Sequence, residues 1–581
     1  MSISQNYPII NPSLSLDFAN TKVLDPRITY ARASTATYYD GVTNSKAEEN
    51  LVLRSQEFNV GWVNLSTTVT ANTATAPDGT TTADLLYPTT TGNSRITYQI
   101  LTLASATYTQ SIFAKASGLN HLCIYQGGGT FGAAWFNLST GAVGTVAGGF
   151  SATITSVGDS WYRCTVTFTG GANFSLTVGG VDADNSITAT TSGLNGVLLW
   201  GAQTEQRSAV SSYTPTTTQA ITRYQPTLLT APSGVARFDH NPITTESLGL
   251  LIEEQRTNLL LRSEEFDNAA WSKSAVTITS NTLVAPDNTL TADKLNATTA
   301  NTFHFVQSSN VTTTAVVTTV SMYVKSGGYD YVYIDFITGA FSPAVYFNLN
   351  TGAVVSTVGS PISPEIKSVG NGWYRCSFSF LAVAGASYIR AFISDTGSRV
   401  SFLGDGYSGI FIWGAQLEAG AFPTSYIPTV ASQVTRSADS ASMTGANFSS
   451  WYNVSQGSFY VNETIQWNAT DAIPRAIMLT TSIGNGSILY KNANDTNIRS
   501  FDGTNILATP LVFGNNKFIS AYGSGTKSLC VNAGTVVSGA YNNSWSTATA
   551  FSFGADNSGH IKKLSYFPAR LSNEELQEMT S

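Results

Sequence analysis

Cysteine and histidine are scarce in this chain, four of each in 581 residues. Four cysteines cannot frame a disulfide scaffold of this size, and no Cys-x-x-Cys or Cys/His cluster offers zinc ligands. Charge is scarce as well. Asp, Glu, Lys and Arg make up 11% of the residues, where about a quarter is usual. Net charge is −7 and the longest basic run is Lys562-Lys563, so a phosphate backbone has nothing to follow and nucleic acid is excluded as a partner. No apolar run approaches the roughly 20 residues of a membrane span, so no membrane insertion is expected. The opening MSISQNYPII lacks the basic and apolar regions of a secretory signal. The chain is therefore expected to be made and folded in a reducing cytoplasm.

Thr, Ser, Asn and Gly fill the place of the missing charge, and aromatics reach 11%. β-Branched and aromatic residues punctuated by Gly, Asn and Asp describe many short strands joined by turns, an all-β chain of several domains. Most of it is written twice. Residues 157–168, VGDSWYRCTVTF, return as VGNGWYRCSFSF at 369–380. Trp200-Gly201-Ala202-Gln203 returns as Trp413-Gly414-Ala415-Gln416, and Tyr213-Thr214-Pro215 as Tyr426-Ile427-Pro428. The spacing between matching positions grows in single steps from 208 at Asn50/Asn258 to 213 at Trp200/Trp413. One fold with small loop insertions gives that pattern, because strand registers cannot absorb a slip.

The repeat sets the organisation: an N-terminal segment 1–49, a first unit 50–217, a linker 218–257, a second unit 258–430 and an unrelated third domain 431–581. Alternation in the best strand puts Tyr162, Cys164, Val166 and Phe168 on one face, with Trp161, Arg163, Thr165 and Thr167 on the other. Tyr374, Cys376, Phe378 and Phe380 repeat the apolar face, as one layer of an antiparallel sandwich does. Both cysteines then belong to cores. Near the C-terminus, Ser572 and Glu575 form a capping box that starts a short helix.

At these residues the chain resembles bacteriophage structural proteins of the head-spike and tail-fibre kind. The similarity lies in Leu16-Asp17-Phe18-Ala19-Asn20-Thr21, Asp25-Pro26-Arg27-Ile28-Thr29 and Arg32-Ala33-Ser34-Thr35-Ala36-Thr37. It extends to the Asn-Leu…Phe…Trp opening of each unit and the Trp-Gly-Ala-Gln close. Residues 559–576 are similar to concanavalin A-like (laminin-G-like) modules. The resemblance implies two jelly-roll sandwiches related to carbohydrate-binding modules, then a concanavalin A-like sandwich, displayed on a virion. It implies capsid or tail proteins as partners through the N-terminal segment, host cell-surface polysaccharide as the target, and a homotrimer. A head fibre is favoured over a tail fibre. The alternatives are a decoration protein that binds no receptor and a polysaccharide depolymerase.

The residues themselves offer little catalysis. A glycosidase needs two carboxylates held roughly 5–10 Å apart, whereas Glu463 stands alone and Glu574 and Glu575 suit a helix N-terminus. No enzyme is expected, and no cofactor. Calcium is the ion that loop oxygens could take, at Asp182, Asp395 and Asp405, although turn formation explains the same residues. Sugar binding needs an exposed aromatic ring flanked by amide or charged hydrogen-bonders. Tyr541, Asn542, Asn543 and Trp545 form one such cluster, and Tyr490, Asp495 and Arg499 a second.

Overall fold

Strands with a period-two apolar face need a second layer to cover it. The computed structural model describes residues 10–581 except 94–95, 127–131, 171–173, 340–341, 466–474, 482–483, 492–496, 511–513 and 554–557, with backbone alone for 465, 475–476 and 484–491. The described chain is all-β, built of antiparallel sheets in several sandwiches.

Each repeated unit is two sheets around one core, with the same strand order in both copies. One sheet of the first unit runs Ser151–Ser156, Tyr162–Gly170, Ala106–Ser117, Gly196–Glu205, Ala83–Pro88, Thr67–Ala74. Its second-unit counterpart runs Ile362–Gly370, Trp373–Leu381, Val317–Gly327, Gly409–Ala419, Ala292–Ala297, Val276–Leu283. The predicted core face holds: Cys164, Val166 and Phe168 are buried against Leu122, Phe136 and Val178 of the opposite sheet. Cys376, Phe378 and Phe380 do the same in the second copy. All four cysteines are free and buried.

The other face differs from expectation. Trp161 is buried in a second apolar cluster on the outside of its sheet, with Phe113, Leu85, Leu198 and Trp200. A bulge builds this cluster. Residues two apart on a regular strand share a face, yet Trp200 lies in the outer cluster and Ala202 in the main core. The register shifts opposite Ser111 and Phe113, and Gly201 takes φ 61°. A Cβ there would sit 2.8 Å from the Phe113 ring, so the repeated Gly is required.

The remaining shared motifs close each unit on itself. The Asn50 amide donates to the carbonyls of Ala202 and Thr214 (2.9 and 2.8 Å) and accepts from the N–H groups of Val52 and Thr204. Asn258 repeats all four bonds, to Ala415, Ile427, Leu260 and Leu417. Strand start, Trp-Gly-Ala-Gln strand and Tyr-x-Pro close are thus pinned by one amide.

The third domain borrows strands. Its larger sheet runs Arg237–His240, Ser247–Ile252, Gly559–Phe567, Gly457–Ile465, Gly514–Gly523, Thr526–Val531, Val537–Ala540, with Leu14–Asp17 also on Gly559–Phe567. The facing sheet begins with Thr29–Ala31. Leu14, Leu16, Phe18, Leu250 and Ile252 belong to the same core as Phe459 and Tyr566. Four strands therefore come from the segments that precede the first and second units. Ser572 caps the final helix Asn573–Thr580 with the expected reciprocal bonds to Glu575.

A buried charge cluster joins these segments. The Arg237 guanidinium donates to Glu253 (2.8 Å), Asp439 (2.6 Å) and the Ser425 hydroxyl (2.9 Å). Arg32 reaches Asp439 at 3.1 Å and Arg436 approaches Glu253 at 3.5 Å. The N-terminal segment, linker, second unit and third domain each contribute a member; the charged members are sealed from water and the Ser425 side chain is half-buried.

Two buried acids of the second unit respond to pH, and one of them, Glu264, has no acidic counterpart in the first. Glu264, which accepts the Tyr426 hydroxyl at 2.9 Å, stands where the first unit has Gln56. Burial pushes its carboxyl up to about 7, and burial also pushes Asp293 up to about 6 against hydrogen bonds from the Asn281 and Phe266 N–H groups. Acids raised in the fold bind protons more tightly there than in the unfolded chain, whose values lie near 4. Their contribution to stability is present at pH about 4 and is lost as pH rises through 6 to 7. Glu264→Gln is expected to flatten the decline in second-unit stability between pH 5.5 and 8, measured as denaturation midpoints across that range. An unchanged pH slope would refute the assignment.

Candidate functional site

The rings expected to bind sugar in the third domain are core rings. Trp545 is 0% and Tyr541 6% exposed; they pack on each other at 5.3 Å and on Tyr522. Neither offers a face to a ligand, which corrects the reading of that loop. Asn542 and Asn543 are exposed but shape the turn. Asn542 binds the Thr504 hydroxyl and the Ser544 N–H, and Asn543 takes φ 66° before the short helix Ser544–Thr547. In the second cluster, Arg499 is half-buried on the strand Asn497–Phe501 and pairs in register with Tyr490. The Tyr490 side chain and the whole of Asp495 lie outside the described residues.

The three calcium candidates are engaged elsewhere. Asp182 accepts from the Thr190 N–H and hydroxyl (2.9 and 2.8 Å). Asp395 pairs with Arg399. Asp405 accepts from the N–H groups of Tyr407 and Ser408, a turn bond of the usual Asp kind. Among the described residues no three His, Cys, Asp or Glu side chains gather as a metal site.

A different surface has the required chemistry. The second sheet of the second unit runs Trp271–Ser274, Phe305–Ser308, Gly385–Ser394, Tyr331–Thr338, Ala344–Asn348, Ala353–Val358. Val306, Val332, Ile334, Val345, Ile389 and Ala391 fill its core side, so the residues between them face outward. Register sets four of these in line across four strands: Phe305 opposite Phe392, Phe392 opposite Tyr333, Tyr333 opposite Tyr346. Their ring centroids are 4.6, 5.4 and 4.4 Å apart, each pair the kind that stabilises a sheet. Phe303, 50% exposed, extends the row beside Phe392.

The next row along the same strands is polar. Gln307, Arg390 and Asp335 lie side by side. Arg390 grips Asp335 through Nε and Nη2, at 3.1 and 2.5 Å, and its guanidinium lies 4.9 Å from the Phe392 ring centroid. This two-point pair fixes the guanidinium plane. Burial pushes the Asp335 carboxyl up while the Arg390 hydrogen bond and charge hold it down. Burial, with the Asp335 charge beside it, pushes the Tyr333 phenol up to about 12, so it stays a neutral hydroxyl. The surface therefore presents the half-buried rings of Phe305, Tyr333 and Tyr346 on either side of a buried Phe392, and in the next row the half-buried Gln307 and Arg390, with Asp335 buried beneath the guanidinium it holds. Asp335 is the one carboxylate in the two rows and is held by Arg390, so these rows contain no acid pair for glycoside hydrolysis.

In the first copy the same positions carry other chemistry. Cys123 lies between Gly179 and Trp135, and Tyr125 pairs with Thr177. Trp135 is buried there, its indole N–H on the Ser186 carbonyl at 2.6 Å, so a loop seals the face. The signal was present in the sequence as a divergence between copies: Tyr333, Asp335, Tyr346, Phe392 and Arg390 replace Cys123, Tyr125, Trp135, Gly179 and Thr177. Reading it requires the register across four strands.

No protein-family model matches the chain, and no curated protein matches it. Among solved structures, 23% of the chain is similar to 88% of the CBM40 module of the Ruminococcus gnavus IT-sialidase bound to alpha2,3 sialyllactose, at 12% identity and TM-score 0.20. The CBM2 module of the Lactobacillus casei BL23 phage J-1 evolved Dit matches over 23% of the chain and 71% of its own, at 13% identity and TM-score 0.17. The LG1-3 region of the laminin alpha2 chain matches over 83% and 97%, at 9% identity and TM-score 0.15. Likenesses at these TM-scores carry no argument about what the chain does.

Proposed function

We propose that this chain is a non-enzymatic virion surface fibre or spike, on the head in preference to the tail, and that it binds host cell-surface glycan. The virion assignment rests on the resemblance of the opening and paired motifs to phage structural proteins. One observation carries the binding reading: the aromatic row Phe305, Phe392, Tyr333 and Tyr346 beside the fixed Arg390–Asp335 pair. A pyranose has an apolar face of C–H groups and an equatorial belt of hydroxyls. The half-buried rings of Phe305, Tyr333 and Tyr346 take the first, and the Arg390 guanidinium, its plane fixed by the buried Asp335, takes the second with Gln307. Residues 10–49 are bound into the body of the chain through Leu14–Asp17, Thr29–Ala31, Ala36–Tyr38 and Asn44–Asn50. Attachment to a capsid or tail through this region then uses a folded surface.

The test is glycan-array binding by the full-length protein and its Tyr333→Ala and Tyr346→Ala variants. Each variant is expected to bind at least roughly tenfold more weakly, about 1.4 kcal/mol, with unfolding midpoints showing that it stays folded. Folded wild-type protein that binds no host-derived glycan would favour the decoration reading. Release of shorter chains from intact polysaccharide would favour the depolymerase.

A further inference from the structure

The outer apolar clusters of the two units, equivalent in sequence, are covered differently. In the second unit Leu228 and Tyr39, from the linker and the N-terminal segment, pack onto Tyr323, Trp373, Trp413 and Tyr426, and about 140 Å³ is left beside Arg375. In the first unit the equivalent face meets the second unit instead, across a cleft of about 880 Å³. The two units touch at its edge, where the Ser212 N–H and hydroxyl donate to the Thr282 carbonyl at 2.6 and 3.0 Å.

One wall of the cleft carries Phe113, Trp200 and Arg163; the facing wall carries Phe411, Tyr407 and Lys294. Arg163 lies 5.1 Å from the Phe113 ring centroid and donates to the Ser211 carbonyl (2.7 Å) and the Ser111 hydroxyl. Lys294 lies 4.2 Å from the Tyr407 ring centroid and donates to the Tyr407 carbonyl (2.9 Å). Among the described residues neither cation forms an ion pair. The carboxylates that line the cleft are occupied: Glu48 pairs with Lys325 and Arg223, and Asp78 holds the Thr80 N–H and hydroxyl.

Two half-buried cations that face each other from aromatic walls, neither in an ion pair among the described residues, are each favoured by an anion that joins them. Burial pushes Lys294 down to about 8, opposed by the Asp405 charge and aided by that of Arg163. Burial likewise lowers Arg163, opposed chiefly by Glu205. Moreover, Lys294 and Tyr407 stand where the first copy has Leu85 and Leu194, so the common fold does not need them. The cleft is within the size range of ligand pockets, roughly 300–1,000 Å³.

We infer that the inter-unit cleft binds a carboxylate-bearing sugar unit, its carboxylate between Arg163 and Lys294 and its ring against the aromatic walls. This rests on the glycan-binding reading above for the class of polymer and places the acidic unit at a site separate from the aromatic row. Calorimetric titration of the full-length protein tests it with four probes: a sialic-acid-terminated trisaccharide, a hexuronate tetrasaccharide, and the carboxyl-reduced form of each. At least one acidic probe is expected to bind, at least tenfold more tightly than its reduced form and than to Lys294→Leu. Which probe binds tells a terminal acid from an internal one. Lys294→Leu carries the first unit's residue and removes a half-buried charge, so its melting curve should match wild type.

Equal binding of the acidic probe by Lys294→Leu overturns the inference, and so does equal binding of the reduced form. Loss of acidic-probe binding in Tyr333→Ala with retention in Lys294→Leu places the acid on the aromatic row, and the cleft site fails alone. Array binding of neutral glycans without any acidic-probe binding also sinks the cleft site and leaves the row standing. Absence of all glycan binding removes both.

Discussion

Arg237→Ala is expected to destabilise the third domain and its borrowed strands by about 3–5 kcal/mol, the usual cost of removing one partner from a buried ion cluster. Arg237 is 0% exposed and bridges Glu253 to Asp439 while donating to the Thr37 carbonyl and Ser425. Without it, Asp439 keeps Arg32 and Glu253 keeps Arg436, but two carboxylates remain in a dry site with one guanidinium fewer. Burial pushes the Glu253 carboxyl up, yet the Arg436 and Arg237 charges and the Ser425 hydrogen bonds outweigh it and hold it well below the usual carboxylate range. A depressed acid stabilises the fold above its unfolded value, near 4.3, and that stability is lost only as pH falls further, through the folded value. The cluster should therefore hold from neutral pH down to about 4. Denaturant midpoints of wild type, Arg237→Ala and the double variant Arg237→Ala with Glu253→Gln check the account. The double variant should recover part of the loss, since the stranded charge is gone. A loss under 1 kcal/mol for the single variant would show the cluster to be replaceable.

Asn258→Ala should cost about 4 kcal/mol in the second unit, and Asn50→Ala a similar amount in the first. Each amide satisfies two backbone carbonyls and two backbone N–H groups at 2.8–3.2 Å in a site with no exposure. An alanine leaves all four unpaired, at about 1–3 kcal/mol for each group that water cannot reach. Asn258→Asp should not rescue, because a carboxylate accepts but cannot donate to Ala415 and Ile427 and brings a buried charge. The comparison is internal to one molecule: separate unfolding transitions for the two units, followed by tryptophan fluorescence, should shift by similar amounts in the two variants. A loss in one copy only would mean that the paired motif serves the two units differently.

Much of the fold is legible in the sequence because its causes are local. Alternation along residues 162–168 gives the core face, since a strand's period of two needs no partner to be read. The spacing of Ser572 and Glu575 gives the last helix for the same reason. The repeat itself marks Asn258 as equivalent to Asn50 and the cysteines as core thiols. Composition, by contrast, could not tell a loop that faces water from one that folds under. Tyr541 and Trp545 sit among Asn and Ser as an exposed binding loop would, and they are buried because Tyr522 and the strand edges around them close over both rings.

What the sequence alone determined is a duplicated sandwich and the core faces of its strands. Tertiary structure decided which strands complete the third domain, what covers each outer face and where unlike side chains meet. Leu14–Asp17 finds Gly559–Phe567 across more than 500 residues, a pairing that no local periodicity encodes. The aromatic row needs four strands in register, and the Arg163–Lys294 cleft needs two units set face to face. The physical reason is the same throughout: local pattern fixes which face of a strand is apolar, whereas the identity of whatever covers that face depends on long-range packing.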